Sequence, residues 1–129
     1  MTAPTVLIVD DEPDIRELLA ITLGRMGLRT SAAASLAEAR DLLASDPPQL
    51  CLTDMRLPDG NGIDLVRLIQ QDCPRLPVAM ITAHGSIDAA IQALKAGAFD
   101  FISKPIDLDA LRRLVPAALQ KSPDSAPAD

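Results

Sequence analysis

The chain has 129 residues and a formal net charge of −6 at pH 7, enough length for one domain with a substantial core. With two Phe and no Trp or Tyr, aliphatic residues and Ala must fill that core, and the acidic balance argues against direct nucleic-acid binding by this segment. No apolar stretch is long enough to span a bilayer, and "MTAPTVLIVDD" lacks the charged and apolar regions of a signal peptide.

Five short apolar runs alternate with five helical patterns. The first run, "TVLIV" (residues 5–9), stops at three consecutive acids, Asp10, Asp11 and Glu12. Like charges side by side repel, so a cation or a basic side chain is expected near them. Ile15, Leu18, Leu19, Thr22 and Met26 then fall on one helical stripe that Gly27 can end. A mixed run, "LRTSA" (28–32), precedes Ser35 and Glu38, a capping-box spacing ahead of Leu36, Ala39 and Leu43.

"QLCLT" (49–53) is the third run and leads to Asp54. Gly62 opens a helix with Ile63, Val66 and Ile69 inward. "PVAMI" (77–81) leads to Thr82, after which Ser86 can cap a helix whose core stripe is Ile87, Ala90, Ile91 and Leu94, ended by Gly97. "FDFIS" (99–103) runs to Lys104. Asp107 can cap the last helix, with Leu108, Leu111, Leu114 and Val115 inward. Pro116 falls inside it, where the missing N–H should free the Arg112 carbonyl and kink or end the helix. Past Lys121 the chain reads "SPDSAPAD" without apolar periodicity, so the domain is expected over residues 1–121, with 122–129 a disordered tail or the start of a linker.

Strict strand–helix alternation predicts an α/β fold with a doubly wound parallel sheet. Near-continuous apolar character in the first, third and fourth runs fits strands buried on both faces. Ligands of such sheets collect at the carboxyl ends of the strands. That rim holds Asp10, Asp11, Asp54, Thr82 and Lys104. Carboxylates in this number suit a hard divalent cation such as Mg²⁺, and a cation, a lysine and a hydroxyl together suit the oxygens of a phosphoryl group. Glu12 and Asp14 read as first-turn acids favoured by a helix dipole. Cys51 and Cys73 form neither a CxxC nor a Cys/His set, which reads as two reduced thiols of a cytoplasmic protein.

The segments "VDDEPDIRELL", "LTDMRLPDGNGIDLV", "VAMITAHGS" and "AGAFDFISKPID" together resemble the receiver domain of two-component response regulators, over residues 5–120. The resemblance implies a (βα)5 flavodoxin-like fold with strand order 2-1-3-4-5. It implies that Asp54 accepts a phosphoryl group from a sensor histidine kinase. Asp10, Asp11, Asp54 and the backbone carbonyl of Arg56 would hold Mg²⁺, with Asp10 acting through metal-bound water. Thr82, Ala83 and Lys104 would contact the phosphoryl group. Thr82 and Phe101 would form the switch, and Lys104–Pro105 the family's cis peptide bond. Arg56 and His84 occupy positions that vary among receivers and tune dephosphorylation. Beyond self-phosphorylation from a phosphodonor and slow autodephosphorylation, no enzymatic activity is implied.

"ITAHGSIDAAIQALKAGAFDFISKPID" is similar to receivers of the nitrogen-regulator class, and "LTDMRLPDGNGIDLV" to type IV pilus regulators within it. That class implies a homodimer through the fourth helix, fifth strand and fifth helix or through a surface linked to the fifth helix, with AAA+ and DNA-binding output domains elsewhere in the full-length chain that work with the alternative sigma factor. A stand-alone receiver serving as a phosphorylation-dependent interaction module is the alternative. A dehalogenase-like phosphatase would need a DxD where the chain has Asp10–Asp11–Glu12. A flavodoxin-like cofactor binder would need a phosphate-cradling first loop, and this one is acidic. A degenerate receiver would lack the complete Asp, Thr and Lys set.

Overall fold

The computed structural model describes residues 3–82 and 87–121. Strand β1 (Thr5–Val9) is buried at every position, and its side chains alternate between the two faces of the sheet. Val6 and Ile8 enter one apolar cluster, whereas Leu7 and Val9 enter the other. Beside β1 lie β2 (Arg29–Ala33) and β3 (Leu50–Asp54), followed outward from β3 by β6 (Val78–Thr82) and β7 (Asp100–Ser103). All four pairings are parallel and the order is β2-β1-β3-β6-β7. Counting only these strands along the chain, this is the expected order 2-1-3-4-5.

Helices cover both faces. α1 (Pro13–Arg25) and α5 (Leu108–Lys121) pack Leu19, Leu23, Leu111, Val115 and Ala118 on one side. On the other side α2 (Leu36–Ser45), α3 (Gly62–Asp72) and α4 (Ile87–Ala96) bury Leu36, Ala39, Leu43, Ile63, Leu65, Val66, Ile69 and Ala93. A short ribbon absent from the sequence expectation, β4 (Arg56–Leu57) with β5 (Gly60–Asn61), joins β3 to α3.

Several boundaries differ from the sequence reading for identifiable reasons. β2, β3 and β6 each lie one residue later than expected, and β7 starts one residue later. The polar residues taken as strand ends still belong to the ladder: Asp54 pairs with Ile81, and Thr82 with Ser103. Each of these two site residues is therefore held by regular pairing rather than by a loop. In α1, Leu18 lies on the solvent side at 36% exposure, and Leu23 joins Leu19 and Thr22 inside. That helix ends in a left-handed Gly27 (φ 85°), with Leu28 N–H donating to the Leu23 carbonyl and Gly27 N–H to the Gly24 carbonyl.

Two further expectations are corrected. Pro116 does not end α5, which continues to Lys121. Pro116 is exposed, so water can satisfy the Arg112 carbonyl, and the buried Ala118 and Leu119 beyond it hold the last turn. The larger departure is α4, where three of the four residues of the expected core stripe face outward and only Ala90 lies inside. Ala90 and Ala93 are buried, while Ile87, Ile91 and Leu94 are 72%, 43% and 43% exposed. Ser86, Ala83, His84 and the tail 122–129 lie outside the described residues. Cys51 and Cys73 are free, and burial pushes the Cys51 thiol up to about 12. Among the described residues no helix is long and apolar enough to cross a membrane.

Candidate functional site

Asp10 follows the last residue of β1, and its N–H donates to the Ala33 carbonyl of the neighbouring strand at 3.0 Å. The chain then turns back on itself: Asp10 Oδ1 accepts from Glu12 N–H at 2.8 Å, and the Asp10 carbonyl accepts from Arg16 Nη1 of α1 at 2.7 Å. Asp10 is fully buried, yet its Oδ2 has no hydrogen-bond partner among the described residues. Lys104 Nζ lies 3.2 Å from that oxygen, an ion-pair distance without hydrogen-bond alignment.

Asp54 closes β3. Its carbonyl accepts from Thr53 Oγ1 at 3.1 Å, and the next residue is anchored to β6 by Met55 N–H donating to the Ile81 carbonyl at 3.0 Å. Gly62 is required here by space: a Cβ would overlap the Asp54 carbonyl and sit 3.0 Å from Met80 Sδ. The close start of α3 thus braces the backbone that presents Asp54.

Lys104 follows β7 and donates its N–H to the Thr82 carbonyl at 2.8 Å. The Lys104–Pro105 peptide is cis. Its ammonium reaches Glu12 Oε2 at 2.8 Å and Asp54 Oδ2 at 3.1 Å. This answers the acidic run in part, since one ammonium faces Asp10, Glu12 and Asp54 together. Glu12, expected as a dipole-favoured first-turn acid, is instead the residue before α1, makes no side-chain cap bond, and pairs with a lysine 92 positions away.

Burial raises the Asp10 carboxyl above its usual value, and the nearby Asp54 charge adds to this, outweighing the Glu12 N–H and Lys104. For Lys104, burial acts downward, but the Glu12 and Asp54 carboxylates win and hold the ammonium well above its usual range. Three carboxylates, Asp10, Glu12 and Asp54, therefore share one ammonium, and Asp11 adds a fourth acid at the rim. Asp10, Asp11 and Asp54 each offer an oxygen, and these lie within 4.8 Å of one another. An unsatisfied buried carboxylate oxygen in a hard oxygen donor set fits a divalent cation.

Asp11, Glu12, Asp54, Met55, Arg56, Ala89 and Lys104 line an open cavity of about 420 Å³ at this rim. The structure thus brings together Asp10, Asp11, Asp54 and Lys104, with Arg56 on the wall. Thr82 ends β6 at 1% exposure. Because Met80 pairs with Phe101, Thr82 and Phe101 share the sheet face that α4 covers, one pleat apart. Phe101 is 38% exposed on β7, the strand against which α4 packs. Sequence reasoning missed Glu12 as the lysine's partner and Arg16 as the clamp on the Asp10 carbonyl. Only the acidic run itself signalled the first.

Comparison with known proteins agrees with this architecture. The family model described as "Response regulator receiver domain" matches residues 6–116, and the chain belongs to that family. The response regulator protein PilR of Pseudomonas aeruginosa is 64% identical over 132 residues, covering 100% of this chain and 30% of that protein. The DNA-binding transcriptional regulator NtrC of Escherichia coli (strain K12) is 40% identical over 114 residues, covering 88% and 24%. The solution structure of the beryllofluoride-activated NtrC4 receiver domain dimer superimposes with a TM-score of 0.85 at 32% identity, covering 91% of this chain and 97% of that one. The chain is thus a response-regulator receiver with NtrC-class relatives, and it spans about a third or less of the curated relatives it matches.

Proposed function

We propose that this receiver takes a phosphoryl group onto Asp54 from the phosphohistidine of a sensor kinase, with Mg²⁺ held by Asp10, Asp11, Asp54 and the Arg56 carbonyl. The observation that carries the reading is the Asp54 carboxylate standing 3.1 Å from Lys104 Nζ within a carboxylate set spaced for one cation. An Oδ–P bond forms as the N–P bond of the donor breaks, and the imidazole leaves with the electron pair. Bound Mg²⁺ would supply charge neutralisation for the phosphoryl oxygens.

The chain's own residues do the rest. Lys104 keeps a positive charge at Asp54 before transfer and offers donors to the phosphoryl oxygens during it. Glu12 is the most exposed of the three carboxylates on the ammonium, so it is the one that yields its place. Thr82 stands at the rim to bond a phosphoryl oxygen, and Phe101 responds on the same face. The product is an acyl phosphate, which hydrolyses, so the mark is temporary. The altered α4–β7–α5 face then favours a homodimer, in line with the dimer that the beryllofluoride-activated NtrC4 receiver forms. Beyond this chain, an AAA+ and DNA-binding output that drives transcription with the alternative sigma factor is the reading that the NtrC-class relatives support.

Incubation with acetyl phosphate and Mg²⁺, followed by intact-mass measurement, should add one phosphoryl group to the protein. Asp54→Asn should remove that addition. Equal labelling of the Asn variant contradicts the assignment.

A further inference from the structure

The β4–β5 ribbon is fastened at both ends. At its base, Gly62 N–H donates to the Met55 carbonyl at 2.7 Å and Met55 N–H reaches β6. At its tip, Asp59 reaches across to the start of α2: Oδ1 accepts from Leu36 N–H at 2.8 Å, and Oδ2 from Ala37 N–H at 3.0 Å. Those are the first two N–H groups of the helix, which have no partner within it. The third, Glu38 N–H, is taken by Ser35 Oγ at 3.2 Å. The expected capping box is half formed, because Glu38 Oε2 accepts from Ala34 N–H at 3.0 Å rather than from Ser35. α2 thus has a local cap of its own, and Asp59 is a second one brought from the ribbon.

Packing follows the same line. Leu57 is buried in the cluster that contains Leu36, and Gly60 comes so close to α2 that a Cβ there would overlap Leu36 Cδ1. The N–H groups of Leu36 first, then Ala37, hold the Asp59 carboxyl below its usual value, so it is ionised when it makes this contact. The ribbon between these two fastenings carries Arg56, three residues before Asp59, whose backbone pairs with Asn61.

We propose that Asp59 is a positioning residue for the metal and phosphoryl site: by locking the ribbon tip to the first turn of α2, it fixes the Arg56 carbonyl beside Asp54. This rests on the reading that the Arg56 carbonyl is a metal ligand. Small displacements of a ligand-bearing backbone weaken a cation that tolerates only narrow geometry, and groups that orient ligands matter nearly as much as the ligands. Local helix capping alone does not predict such an effect.

The test compares two ways of uncapping the same helix. Asp59→Ala and Ser35→Ala both remove a cap from α2, but only the first unties the ribbon. Mg²⁺ titration of the whole chain, followed by amide chemical shifts, should show several-fold weaker binding for Asp59→Ala and parental binding for Ser35→Ala, while both lower the thermal midpoint. Asp59→Asn, which keeps one acceptor, should fall between parent and Ala and provides a folded variant if Asp59→Ala unfolds. Parental Mg²⁺ affinity in Asp59→Ala or Asp59→Asn, or an equal loss in Ser35→Ala, overturns the inference. Asp11→Ala separates the two levels: if it too binds Mg²⁺ like the parent, the site reading itself fails.

Discussion

α3 and α4 lie side by side on one face of the sheet and are of nearly equal length, 11 and 10 residues. They are held in opposite ways. α3 drives Ile63, Leu65, Val66 and Ile69 into the core and begins at Gly62, pressed against the Asp54 carbonyl. α4 is seated on two alanines and turns Ile87, Ile91 and Leu94 toward solvent. Apolar burial fastens a helix roughly in proportion to area, so α3 is a fixed brace and α4 a lightly held cover. α4 also borders the site, through Ala89 in the cavity wall. An element that is weakly seated, adjacent to the chemistry and apolar on its outer face can respond to a local charge event and expose or hide a docking surface.

Unfolding free energies should separate the two helices by the widest margin. Ile69 is fully buried, so Ile69→Ala should cost about 2–5 kcal/mol through lost burial and a residual cavity. Ile91→Ala, on the outer face of α4, should stay within about 0.5 kcal/mol. Denaturant unfolding of both variants checks this. Similar losses for the two would mean that α4 is as firmly seated as α3.

A smaller effect should divide chemistry from readout. Phe101 is exposed on β7 and carries no group able to hold a cation or a phosphoryl oxygen. Phe101→Ala should therefore leave the rate of acetyl-phosphate labelling close to that of the parent while weakening phosphate-dependent dimerisation in sedimentation. A ligand shifts a two-state equilibrium only through its differential interactions with the two states. A variant that labels poorly, yet dimerises normally once labelled, contradicts this division.

Much of this was legible in the chain, unevenly. Near-continuous apolar runs revealed the central strands, and the doubly wound order followed once the alternation and the family resemblance were joined. Asp10, Asp11, Asp54 and Lys104 could be placed on one rim because each ends or follows a strand. What periodicity does not encode is which way a stripe faces. Ile87, Ile91 and Leu94 have helical spacing whether a neighbour covers them or not, and only the packed structure shows that Ala93, beside the expected Ala90, took the inner side in their place. Long-range polar pairings were invisible for a related reason. Lys104 and Glu12 are 92 residues apart, and Asp59 caps a helix 23 residues upstream, beyond any local motif window. Pro116 shows that a local rule can yield to context, since its exposed position softens the lost hydrogen bond and the buried residues after it keep the helix going.

The claim that chemistry at Asp54 is read out on the α4 side can be checked by amide chemical shifts with and without beryllofluoride and Mg²⁺, in the parent and in Asp54→Asn. In the parent, shifts should concentrate in α4, β7 and α5, with α2 little changed, and the Asn variant should show none of this pattern. Shifts spread equally over α2 and α4, or the same pattern in Asp54→Asn, would contradict the account.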